Sequence, residues 1–217
     1  MSIRITQFLV GGFDKNCSYV MQEDESNECL IVDPSGDMTT VYTYISINNL
    51  TVNGVALTHS HHDHFDALQE TQTRFNNVPI YVHQKGEDSI GSYGEIIALT
   101  DSDCIPLGGK SILVLYTPGH TQDSICFYLP ASEACDEQPH IITGDTLFVG
   151  GCGRTNEEGV AGLYQSLERL RKLPANTHIY PGHDYGATPT STIGAEIAHN
   201  RFYQVMSFED FYSLRLT

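Results

Sequence analysis

The chain has 217 residues, 40% of them hydrophobic and 10% aromatic, so it is long enough and apolar enough to bury a sizeable core. Its 27 acidic side chains against 11 basic ones give a formal net charge of −16 at pH 7, a field that repels a phosphate backbone and argues against nucleic acid as a partner. No run approaches the roughly 18 apolar residues of a membrane helix, and no basic segment followed by a long apolar one opens the chain; neither membrane insertion nor a secretory leader is expected. The cysteines at 17, 29, 104, 126, 135 and 152 have no short paired spacing and several sit in apolar runs, which predicts reduced thiols and a cytoplasmic setting.

In chain order, Ile3 to Val10, Cys17 to Gln22 and Cys29 to Asp33 read as three strands of a meander, separated by turn-rich pieces such as Gly11-Gly12. Val41, Tyr44, Ile45 and the stretch from Asn48 to Leu50 recur at helical spacing with Asp37 as the cap, and a strand follows at Val52 to Leu57. Phe65, Leu68 and Phe75 suggest a helix that ends at Asn76-Asn77-Val78-Pro79. Beyond it, Ile80 to His83, Cys104 to Leu107, Ile112 to Thr117, Ile125 to Leu129 and Ile141 to Thr143 read as strands. Residues Lys85 to Gly94 form either a surface helix or a mobile flap, and the acidic stretch Ala131 to Gln138 is expected as a surface hairpin tip. Leu163, Leu167, Leu170 and Leu173 predict a helix over Gly162 to Leu173, followed by a short strand at Ile179-Tyr180. Terminal helices are expected over Thr192 to His199 and Phe208 to Leu214, the last packing on its own chain or on a second subunit of a homodimer. No linker divides the chain, so residues 1–217 read as one domain of two similar halves.

Directly after the apolar run Val55-Ala56-Leu57, residues Thr58 to Asp66 place four His and two Asp in nine positions, although the chain holds only ten His. Burying such a cluster is costly unless a cation compensates it, so a metal site is the first hypothesis. His59 and His61, two apart on an extended loop, can converge on one ion, while Asp63 and His64 are directed differently and can reach a second. Zinc or ferrous iron accepts this nitrogen and carboxylate mixture. Three later stretches repeat one form, a strand and then a turn with one ligand-type residue: Thr117-Pro118-Gly119-His120, Thr143-Gly144-Asp145 and Tyr180-Pro181-Gly182-His183.

This set resembles the metallo-β-lactamase fold superfamily, whose mark is the His-x-His-x-Asp-His loop with later His, Asp and His ligands, and the likeness spans Asp33 to His183. It implies an α/β fold, an αββα sandwich of four layers with the site at the edge between the sheets. It further implies one metal site at His59, His61 and His120, a second at Asp63, His64 and His183, and Asp145 between them. Asp33 is then either a turn residue or a group that orients a ligand histidine. Two divalent ions, zinc before iron or manganese, carry about +4, and Asp63, Asp145 and a bridging hydroxide return about −3, leaving a cationic site that holds a hydroxide nucleophile near neutral pH, with Asp63 orienting it.

Gly150-Gly151-Cys152-Gly153-Arg154 is similar to the glyoxalase II group, the hydroxyacylglutathione hydrolases, which points to a small thioester as substrate. That group usually carries a further helical domain that holds glutathione, whereas this sequence stops at Thr217. Gly151 to Thr155, His183-Asp184-Tyr185 and Ser191-Thr192-Ile193-Gly194 with Glu196 and Asn200 are also similar to persulfide dioxygenases, which would use one Fe(II) held by His59, His120 and Asp145. Asn156-Glu157-Glu158 and Arg201 depart from that second pattern, so the hydrolase ranks first. Arg154 and Tyr185 are read either as substrate contacts or as a loop-fixing guanidinium and a packed ring. A non-catalytic metal-binding protein would be expected to lack a ligand, and none of the seven is missing.

Overall fold

The computed structural model describes residues 2–12 and 14–216. Ile3–Gly11 (β1) and Asn16–Glu23 (β2) form an antiparallel hairpin, and Glu28–Val32 (β3) pairs antiparallel with β2. From there the chain changes to parallel pairing through helical crossovers, because a parallel neighbour needs a connection long enough to return to the same end of the sheet. Helix α1 (Thr39–Ile47) leads to β4 (Thr51–Ala56), α2 (Leu68–Arg74) to β5 (Ile80–His83), and α3 (Glu87–Ile90) to β6 (Ile96–Leu99). The sheet order is β1-β2-β3-β4-β5-β6.

The second sheet opens with an antiparallel meander, β7 (Cys104–Leu107), β8 (Lys110–Tyr116), β9 (Ile125–Leu129) and β10 (His140–Gly144). A separate hairpin of β11 (Leu147–Phe148) and β12 (Gly151–Cys152) follows. Helix α4 (Val160–Leu170) then crosses to β13 (His178–Pro181), parallel to β10; β14 (Ser191–Thr192) leads into α5 (Ile193–His199), and α6 (Phe208–Leu216) closes the described chain. The order is β14-β13-β10-β9-β8-β7.

Three buried clusters show how these parts stack. Tyr19, Met21, Leu30, Ile112, Val114 and Phe127 fill the space between the two sheets. Val41, Ile45, Leu68 and Ile90 seat the first three helices on the outer face of the first sheet. Leu163, Leu167 and Leu170 of α4 share one helical face and join Phe202 and Phe211 on the outer face of the second. Each fully buried side chain of this size contributes roughly 1.5–3 kcal/mol, so the layering follows from which strand faces are apolar on both sides. The result is an αββα sandwich.

Five details depart from or sharpen the sequence reading. The strand β6 has no counterpart in it. The Ala131 to Gln138 tip does not stand clear in solvent: Ile3 N–H donates to Glu133 O at 2.7 Å and Cys135 N–H to Ile3 O at 3.1 Å, so the tip covers part of edge strand β1 and ties the sheets together. Residues Lys85 to Gly94 hold a short helix anchored by Ile90, which is fully buried. Helix α6 packs on its own chain, with Phe211 buried and its ring 5.3 Å from that of Tyr164. At α1, Asp37 Oδ1 accepts the Thr39 N–H at 2.9 Å, while Met38 holds the cap position itself.

Candidate metal centre

Strands β4, β8, β10 and β13 all end at one edge of the sandwich, and each is followed within a few residues by His59, His120, Asp145 or His183. The loop after β4 then turns through a short 3-10 segment, His62–His64, preceded by extended His61. That turn sends Asp63 and His64 toward His183 while His59 and His61 face His120. Two glycines permit the close approach. Gly144 has φ +48°, and a Cβ there would lie 2.6 Å from Thr58 Oγ1; a Cβ on Gly182 would lie 2.3 Å from Asp145 Oδ1 and 2.8 Å from His64 Cε1.

The outward nitrogens of four histidines are held by oxygen acceptors, which fixes where each neutral ring keeps its lone pair. His120 Nδ1 donates to Arg154 O at 2.7 Å, and His183 Nδ1 to Asp14 O at 2.8 Å. His64 Nδ1 donates to Asp33 Oδ2 at 3.0 Å. Thr58 gives its hydroxyl hydrogen to Asp33 Oδ2 at 2.6 Å, so at 3.1 Å it accepts from His59 Nδ1. Asp33 Oδ1 also accepts the Thr58 N–H at 2.7 Å. One fully buried carboxylate thus orients His64 directly and His59 through Thr58, and it sits at φ +49°, a left-handed conformation that aspartate tolerates better than most residues.

With those protons spent outward, the inner nitrogens face one another. His64 Nε2 lies 3.2 Å from His183 Nε2, His120 Nε2 lies 2.9 Å from His61 Nδ1, and His59 Nε2 lies 3.2 Å from His61 Nδ1. Asp145 stands between the groups, with Oδ2 3.4 Å from His120 Nε2 and 3.3 Å from His183 Nε2, while its buried Oδ1 lies 3.4 Å from His64 Nε2 and accepts no hydrogen bond. Converging lone pairs beside an orphaned buried carboxylate oxygen are what a cation would satisfy. Three groups have donor atoms within 4.8 Å of one another: His59, His61 and His120; His59, His64 and Asp145; and Asp63, His64 and His183. The donor set therefore fits a mononuclear or a dinuclear metal centre.

Without a cation the same packing splits the titrations. Burial and the neighbouring His64 charge hold His59 well below the ordinary imidazole value, and burial likewise lowers His120. Burial also acts against charged His64 and His183, but Asp145 outweighs it and raises both. Burial would raise Asp145, yet the surrounding histidines bring it well below the carboxylate range. Asp63 is also lowered: burial pushes it up, and the Asn16 amide with His64 and His183 pulls it further down.

Above the centre opens a cavity of about 930 Å³. Asn16, fully buried, donates through Nδ2 to Asp63 Oδ2 at 3.0 Å and to Asp63 O at 2.9 Å, fixing the one carboxylate of the set that is a third exposed. Arg154 lines the cavity with its guanidinium unpaired among the described residues, and Arg215 of α6 lines it too, with its buried Nε lacking a partner. Tyr185 is 45% exposed, stacks on His183 at 4.9 Å and 3°, and donates its hydroxyl to Asp14 Oδ2. Cys152 also faces the cavity, but burial pushes its thiol up to about 12, so it is no nucleophile at neutral pH. All six cysteines are free. His62 is exposed at the mouth of the cavity, with its ring edge on Phe65 at 5.3 Å, and Asp66 accepts the Gly36 N–H at 2.8 Å. His83 and His140 lie elsewhere, stacked on Tyr116 and bonded to Asp136. Sequence reasoning missed Asn16, Asp14, Thr58 and Arg215; only Thr58, adjacent to the first histidine, stood in a position that could have been singled out.

Fold and donor set together define a metalloprotein of the αββα-sandwich class. The chain belongs to the metallo-beta-lactamase superfamily, whose profile matches residues 11–183. Its structure is similar to that of a metallo-beta-lactamase from Staphylococcus aureus subsp. aureus COL, with a TM-score of 0.85 at 28% identity over 100% of this chain and 68% of that one. It is also similar to ETHE1 from Myxococcus xanthus, with a TM-score of 0.80 at 28% identity over 99% and 90% of the two chains. BLEG-1 B3 metallo-beta-lactamase gives 0.77 at 27% identity over 93% and 100%.

Proposed function

We propose that the protein is a glyoxalase II-like hydrolase that uses two divalent ions, zinc first, to cleave a small thioester carrying an anionic group. The carrying observation is the inward convergence of the lone pairs of His59, His61, His64, His120 and His183 around Asp145, with His64 Nε2 and His183 Nε2 only 3.2 Å apart. His59, His61 and His120 would hold one ion, Asp63, His64 and His183 the other, and Asp145 both. Bound there, such ions supply Lewis acidity and make a hydroxide available near neutral pH.

The chain's own groups do the rest. Asp63, fixed by Asn16 and partly open to the cavity, accepts a hydrogen bond from the attacking water and orients it. Arg154, whose guanidinium has no partner among the described residues, and Arg215, whose guanidinium lies 5.6 Å over the Phe202 ring, attract and hold an anionic substituent of the substrate in a chain of net charge −16. Tyr185 stacks against His183 and forms the wall beside it. A single-iron persulfide dioxygenase would draw on His59, His120 and Asp145, and the departures from that group's pattern at Asn156-Glu157-Glu158 and Arg201 favour the hydrolase. A small-molecule substrate and a cytoplasmic setting belong to the same reading; among the described residues no helix is long and apolar enough to cross a membrane.

The test is thiol release from acyl-glutathione thioesters by zinc-loaded protein, against oxygen uptake on glutathione persulfide by iron-loaded protein. Metal-dependent thiol release supports the proposal. Persulfide-dependent oxygen uptake with no thiol release replaces it with the dioxygenase.

A further inference from the structure

The β11–β12 hairpin pairs over only two residues on each strand, Leu147 with Cys152 and Phe148 with Gly151, and belongs to neither large sheet. A two-stranded ribbon of that size does not hold itself in water. Yet it carries Phe148 and Cys152 into the cavity wall and delivers Arg154 just beyond.

What braces it comes from α5. Glu196 Oε2 accepts the Gly150 N–H at 2.8 Å and, at the same distance, a hydrogen from Asn200 Nδ2. Asn200 Nδ2 also donates to Gly151 O at 3.0 Å, and Asn200 Oδ1 accepts the Phe202 N–H at 3.0 Å. Gly150, at the turn, has φ +74°. Glu196 is 4% exposed and Asn200 fully buried, and neither lines the cavity or touches a candidate metal ligand. A buried carboxylate and a buried amide one helical turn apart thus hold one N–H and one carbonyl at the hairpin's tip.

We infer that Glu196 and Asn200 are positioning residues for the substrate wall: they hold the hairpin so that Phe148 and Arg154 face the cavity, and so govern substrate fit without governing metal retention. The consequence for turnover rests on the cavity's being the substrate site, as proposed above.

The experiment compares Glu196→Ala and the conservative Glu196→Gln with the wild type in metal-loaded form. Amide hydrogen exchange is read over residues 147–155 with β10 as control, metal content is measured, and kinetics are followed on an acyl-glutathione thioester. Glu196→Ala should exchange residues 147–155 at least about fivefold faster, leave β10 and metal content unchanged, and raise KM about fivefold with kcat within about twofold, the loss of one buried hydrogen-bond acceptor. Glu196→Gln keeps an acceptor for Gly150 and should restore most of both effects; if Glu196→Ala does not fold, Glu196→Gln read with Asn200→Asp carries the same comparison. Unchanged exchange over 147–155, or loss of metal in step with activity, overturns the inference. A wild type that cleaves no thioester sinks the proposed function instead, while the exchange result still decides the brace.

Discussion

Removing the Asp33 carboxylate leaves the Thr58 N–H, the Thr58 hydroxyl and His64 Nδ1–H without their acceptor in a fully buried place. Asp33→Ala should therefore cost about 3 kcal/mol in equilibrium denaturation and weaken metal binding by about 10–100-fold in a competition titration, because His64 and, through Thr58, His59 lose their fixed tautomer. Gly182→Ala drives a Cβ to within 2.3 Å of Asp145 Oδ1 and should lose metal by elemental analysis while its far-ultraviolet dichroism is kept. At this scale the seven ligand-type residues were legible because spacing and residue type alone announce them. Asn16 and Asp14 were not: their roles rest on the β1–β2 turn lying against the His183 loop, with Cys17 N–H donating to Gly182 O at 2.9 Å, a contact between segments far apart in sequence.

The helices and strands account for what else the sequence concealed. Strand β6, Ile96–Leu99, is a four-residue apolar run without alternation, which periodicity cannot distinguish from a helix fragment. The α4 leucines were legible because the stripe runs through three turns against one sheet face. Arg215 was hidden because its place in the cavity depends on how α6 docks. Phe211 anchors that helix among Tyr164 and Phe202, at ring distances of 5.3 and 5.8 Å. Arg215→Ala should raise KM for a carboxylate-bearing thioester by about tenfold in steady-state kinetics and leave a neutral thioester unaffected. An equal effect on both would assign Arg215 to packing.

For the whole molecule, the four raised and lowered imidazoles predict a pH profile of the metal-free protein. His59 and His120, held below the unfolded value near 6.5, leave the unfolded chain binding more protons as pH falls, so their contribution declines below that value. His64 and His183, held above it, contribute fully below 6.5 and lose that contribution as pH rises through their folded values. The site's contribution to the thermal midpoint should thus peak near pH 6.5. A cation has to displace the His64 and His183 protons, so the zinc-induced rise in that midpoint should grow from about pH 6 to pH 8. Two strand-rich halves were legible from the order of strands and helices and the αββα sandwich from the family resemblance alone, whereas the cross-link from the Ala131 to Gln138 tip to β1 depends on sheet packing that no local pattern encodes. The most direct test of the account is the rate of thioester cleavage as metal-free protein is titrated with zinc. The account predicts a rate that climbs until about two ions are bound per chain and vanishes with chelator. No cleavage at any loading, with persulfide-dependent oxygen uptake complete at about one iron per chain, would contradict it.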